Sequence, residues 1–113
     1  MKSSAEIRFD FQNARLQADR LEALADKIDS QVTDKMEDTA QQLHAAWTGD
    51  SANRFIAKHD DLRQQVRQSS RELRSIADEI RRIARRVYDA EMEALRIIAQ
   101  RSSGGGGGGG GGR

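Results

Sequence analysis

Between Met1 and Ser103 the chain has a single glycine, Gly49, and it has no proline at all. The other nine glycines form a run, Gly104 to Gly112. A helical chain with one internal breaker has one obvious place to turn. Glycine closes helices because, lacking a Cβ, it takes positive φ without steric cost. Asp50 and Ser51 follow it, and both are good caps for a helix that starts there. The stretch Trp47-Thr48-Gly49 therefore reads as the turn between two helices.

The periodicity on either side agrees. From Ala52 apolar residues recur at alternating steps of three and four, through Phe55, Leu62, Val66, Leu73, Ile76, Ile80, Ile83 and Val87 to Ile97. That is the 3.5-residue repeat of a coiled-coil seam, interrupted by the polar His59 and Ser69. The first half carries a looser stripe of Ala14, Ala18, Leu21, Ala25, Ile28, Val32, Met36, Leu43 and Trp47, widened by Leu16 and Leu24. Before it, Ile7, Phe9 and Phe11 alternate with Arg8 and Asp10, which suggests an extended lead-in over residues 1–10, with Asp10 capping the first helix. The expected organisation is all-α: helix 11–46, turn 47–50, helix 51–100, and a disordered glycine-rich tail over 101–113.

Two helices alone bury little. At 1.5 Å per residue the second helix is about 75 Å long and the first about 54 Å. If the chain folds at 48–49, residue n lies roughly opposite 97 − n, and beyond about residue 87 the second helix has no partner while Ala90, Ala94, Leu95, Ile97 and Ile98 stay apolar. The simplest cover is a second antiparallel hairpin, giving a dimeric four-helix bundle. Its dimer seam is then Leu62, Val66, Leu73, Ile76, Ile80, Ile83 and Val87.

Charge is uneven, although the total is +1. Residues 1–50 hold six Lys/Arg against ten Asp/Glu, and residues 51–113 hold thirteen against eight. In one reading the basic helix neutralises the acidic one, with Arg63 near Asp34, Arg67 near Asp29, Arg71 near Asp26 and Arg74 near Glu22. Such exposed pairs contribute about 0–1 kcal/mol each. In the other, Arg67, Arg71, Arg74, Arg81, Arg82, Arg85 and Arg86 form a surface for nucleic acid or an anionic membrane.

Composition excludes several classes. With 33% charged and 4% aromatic residues and a mean hydropathy of −0.80, the chain is poor material for a sandwich or barrel. There is no cysteine, hence no disulfide, thiolate metal site or thiol nucleophile. His44 and His59 do not share a metal-ligand spacing, no catalytic motif is present, and the glycine run lacks the strand and helix that flank a phosphate loop. No enzyme activity, metal or cofactor is expected. The N-terminus lacks the apolar core of a cleavable signal peptide, and no stretch approaches the ~18 residues of a membrane span.

Trp47-x-Gly49 placed centrally between two breaker-free amphipathic helices resembles the WXG family of small, early-secreted-antigen-like type VII secretion proteins. The likeness covers residues 6 to about 100 and includes the Ile7-Arg8-Phe9 lead-in. Phe55 is similar to the aromatic that follows the motif in many members. The resemblance implies a non-enzymatic bacterial hairpin that pairs with itself, with a sister WXG-type protein, or with the helical N-terminal domain of a larger effector. It implies export of the folded dimer, without a cleavable signal, by a membrane system with a translocase-type ATPase, as substrate or adaptor. Trp47 and Gly49 would form the turn that the partner or machinery reads. The family's Tyr-x-x-x-Asp/Glu export signal has a degenerate counterpart here: Tyr88 is followed by Glu91 and Glu93, with Met92 at the expected acidic place. A generic coiled-coil interaction protein remains the alternative, beside the nucleic-acid or membrane reading.

Overall fold

The structure, a computed structural model, describes residues 2–111, with side chains over residues 2–102. Met1, Gly112 and Arg113 lie outside the described residues, as do the side chains of the expected tail from Ser103 onward. Helix α1 spans Ser4–Lys27, passes into a π-helical stretch at Ile28–Thr33, and continues as α2, Asp34–Ala46. Helix α3 spans Asp50–Gly111. Its last turns run through the glycine stretch, where the sequence expectation has no helix and where helical propensity is low. The protein is all-helical, with no strand among the described residues. None of its described helices is long and apolar enough to cross a membrane.

Helix α1 begins earlier than the alternation at residues 7–11 suggests. Ser3 caps it: its hydroxyl accepts the Glu6 N–H at 3.2 Å and its carbonyl accepts the Ile7 N–H at 3.0 Å. Ser3-Ser4-Ala5-Glu6 is thus the serine-to-glutamate capping signature, and it replaces the extended lead-in and the Asp10 cap. On a helix Ile7 and Phe11 share a face four residues apart. Ile7 is accordingly buried, Phe11 half-buried, and Phe9 turned out at 68% exposure.

The chain forms two compact units, one from Met1–Leu16 with Glu79–Arg113, the other Gln17–Asp78. In the second unit the buried positions before the turn are Ala18, Ala25, Thr33 and Ala40. These steps of seven, eight and seven contain one residue too many for a plain heptad line. The π-helical stretch absorbs the surplus: the Asp34 N–H reaches back five residues to the Asp29 carbonyl instead of four. Val32, placed on the stripe by its spacing from Ile28, is therefore 40% exposed, and Thr33 takes its place at 2%.

On the α3 side the buried residues of this unit are Ala52, Ile56, Ser70 and Ala77. The interior is lined mostly with small side chains, which allow helix backbones to approach closely. Polar contacts fall in reverse order along the two stretches of chain. Ser70 Oγ donates to Asp29 at 2.7 Å, Arg74 bridges Asp26 at 2.8 Å and Asp29 at 2.7 Å, and Arg63 meets Glu37 at 3.6 Å. The cations meet acids about one turn nearer residue 49 than the 97 − n expectation. Long helical side chains lean toward their own N-terminus, so arginines on α3 reach toward the turn.

Candidate functional site

The turn forms from purely local chemistry. Trp47 leaves helical geometry with φ −136° and ψ 124°, while its N–H still closes α2 on the Leu43 carbonyl at 2.8 Å. Gly49 has φ +110°, as its place in the sequence suggests, and its carbonyl accepts the Asn53 N–H at 3.0 Å to open α3. Nothing lies within 4 Å of where a Cβ on Gly49 would be. The requirement for glycine there comes from backbone conformation, not from space.

Around the turn the aromatic residues stand partly in solvent. Trp47 is 42% exposed and packs against Phe55 at 5.8 Å between ring centroids, and Phe55 in turn stacks on His59 at 6.4 Å. The result is a ladder of three rings, tight enough to hold orientation and open enough to meet another surface. His59 is half-buried, and its Nδ1 is buried without a hydrogen-bond partner in the protein.

Tyr88, Glu91 and Glu93, expected from the sequence as a degenerate counterpart of an export signal, lie in the other unit. Tyr88 packs on Phe11 at 4.7 Å, and the Arg85 guanidinium lies over both rings at 5.7–5.8 Å. Lys2 pairs with Asp10 at 2.8 Å and with Glu91 at 3.7 Å. The hydrogen bond and charge of Asp10, then the charge of Glu91, hold the Lys2 ammonium above its ordinary pKa. Glu93 instead pairs with Arg96 on its own helix, which keeps its carboxyl below the usual range. Tyr88 and Glu91 thus contact the N-terminal stretch of the chain at Phe11 and Lys2, and Glu93 pairs with Arg96 instead.

The expected seam is divided. Leu62, Ile76, Ile83 and Val87 are exposed, whereas Val66, Leu73 and Ile80 are half-buried. The line that does turn inward starts at Ile56 and recurs every seven residues, at Arg63, Ser70, Ala77, Ala84 and Glu91, each buried or half-buried. Sequence periodicity missed it because Arg63, Ser70 and Glu91 are polar and the small Ala77 and Ala84 stand beside a row of larger apolar side chains. Just beside it runs the large apolar row Phe55, Leu62, Ile76, Ile83 and Ile97, open along its length.

A family model described as proteins of 100 residues with WXG matches residues 6–92. No curated protein matches the chain, and no solved structure does.

Proposed function

The chain belongs to the WXG family of small proteins associated with type VII secretion, and on that premise we propose that it is a helical hairpin acting as a dimeric substrate or adaptor of such a system. The observation that carries this is the match itself over residues 6–92, centred on a Trp-x-Gly turn whose tryptophan is presented to solvent. The open row on α3 supports association. Large apolar side chains spaced by seven or fourteen residues along one helix make a surface suited to another helix.

In this reading a second hairpin covers Leu62, Ile76, Ile83 and Val87 and completes an antiparallel four-helix bundle, either with another copy, with a sister protein or with the helical domain of an effector. The role is non-enzymatic recognition. The turn, with Trp47, is what a partner or the translocase ATPase contacts, and Tyr88 with Glu91 stands for the export signal. The engagement of Arg63, Arg74 and Arg85 with acids of the chain itself weighs against a nucleic-acid surface on this helix.

Secretion from a host carrying the system, with its translocase ATPase intact or deleted, tests the proposal. Export should require the ATPase and should fail for Trp47→Ala while that variant remains folded. Export that survives deletion of the ATPase would refute the secretion reading and leave a plain helical interaction protein.

A further inference from the structure

Within the unit formed by Met1–Leu16 and Glu79–Arg113, the N-terminal stretch of the chain lies against both Tyr88 and Glu91. The Tyr88 ring is half-buried and packs on Phe11 at 4.7 Å. Arg85 lies over both rings at 5.7–5.8 Å and pairs with Asp89 at 3.4 Å, while Arg15 lies over the Phe11 ring at 5.7 Å. Glu91, also half-buried, faces Lys2 at 3.7 Å, and Asp10 holds the same ammonium at 2.8 Å. The aromatic ring and the carboxylate are thus each engaged by a side chain from residues 2–11.

These contacts are of a kind that opens without unfolding the whole chain. Lys2 precedes α1 and Phe11 ends its second turn, and helix termini open at far lower free energy than the interior of a protein. The Lys2 ion pairs stand largely in solvent, where such pairs are weak. Ile7, fully buried, is the anchor that resists opening. A receptor that reads an aromatic ring together with a nearby carboxylate cannot close on Tyr88 while Phe11 and Arg85 cover the ring and Lys2 neutralises Glu91.

We propose that the N-terminal stretch, through Lys2 and Phe11, masks Tyr88 and Glu91, and that the pair is read when the first turns of α1 open. This rests on the secretion reading above, in which Tyr88 with Glu91 stands for the export signal, and it gives that signal a regulation within its own chain. A site that is readable in the open fraction alone binds its receptor more weakly by that fraction. Weakening the mask therefore strengthens recognition.

Tyr88 is the only tyrosine of the chain and there is no cysteine, so nitration by tetranitromethane, followed by nitrotyrosine absorbance, reports on this ring alone. Phe11→Leu keeps a large apolar side chain and removes the ring contact. Lys2→Glu replaces the ion pairs with repulsion from Asp10 and Glu91. Each should raise both the nitration rate and ATPase-dependent export about threefold or more, with helicity by circular dichroism retained. Lys2→Arg, which keeps the cation, should match the parent chain in both measurements. Lys2 lies outside the helix, so its variants decide the matter if Phe11→Leu weakens α1 itself. Nitration that Lys2→Glu does not accelerate, or faster nitration with export unchanged or lowered, would overturn the mask, while ATPase-dependent export of the parent chain keeps the secretion reading. Export of the parent chain that persists without the ATPase would overturn both.

Discussion

Gly49 and Trp47 show how differently two neighbouring residues are constrained. A β-branched residue at φ +110° strains the backbone although the space beside it is empty. Gly49→Val should therefore lower stability by roughly 1 kcal/mol or more, and Gly49→Asn by less. Melts followed by circular dichroism will rank the two, and equal stability would contradict the positive-φ turn. Trp47 is constrained less by folding. Full burial of such a ring is worth about 3–5 kcal/mol on truncation, but at 42% exposure much of that surface is already wet. Trp47→Ala should cost clearly less than that range and still show its main effect on export. Asp29 adds a pH dependence at the same scale. Its hydrogen bond from Ser70, and then its contact with Arg74, hold its carboxyl below the ordinary value of 3.8. A carboxyl depressed in the folded state adds stability above its unfolded pKa and loses it as pH falls through the folded one. Asp29→Asn should therefore flatten the acid limb of stability below about pH 4.

At the scale of elements, the π-helical stretch reconciles two apolar frames that are one residue out of phase. Upstream, Ala14, Ala18, Leu21, Ala25 and Ile28 face inward, and downstream Thr33, Met36, Ala40 and Leu43 do. A regular helix through the junction would have to turn one set outward. Deleting Ser30, an exposed residue inside the stretch, should therefore be tolerated, since it restores a seven-residue step from Ala25 to the present Thr33. Deleting Asp38, equally exposed but within regular α2, should destabilise strongly because it throws Ala40 and Leu43 out of phase. Comparable melting temperatures for the two deletions would contradict this account. The surplus residue was visible in the sequence as the eight-residue gap from Ile28 to Met36. It was masked because Val32, four residues from each, bridges that gap with an ordinary helical step.

For the molecule as a whole, the decisive quantity is the apolar surface left open on α3. Sedimentation at micromolar concentration should give twice the 12.6 kDa chain mass. The two halves of the expected seam should separate under mutation. Ile83→Asp, at an exposed position, should abolish association while the chain stays helical, whereas Ile80→Asp, half-buried within the chain, should lower the stability of the fold itself. If both variants lose only association, the division of the seam described above is wrong.

What could be read from the residues alone was what local chemistry controls. Gly49 as the single internal breaker set the place and backbone conformation of the turn, and helical periodicity free of proline and further glycine set the long helices on either side. Ser3 and Glu6 were also legible as a capping pair, but the alternation of Ile7, Phe9 and Phe11 competed with them as a strand-like signal. Tertiary packing decided which face of α3 turns inward. Two rows one residue apart are available there, one of large apolar side chains and one of small or polar ones. Facing the short side chains Ala18, Ala25, Thr33 and Ala40, the chain buries the row of Ser70 and Ala77, and the polar groups of Asp29, Ser70 and Arg74 interlock across the same face. The larger row at Leu62, Ile76 and Ile83 is left exposed. No single helix encodes that choice, because it depends on how closely two backbones approach and on which polar atoms find partners when they do.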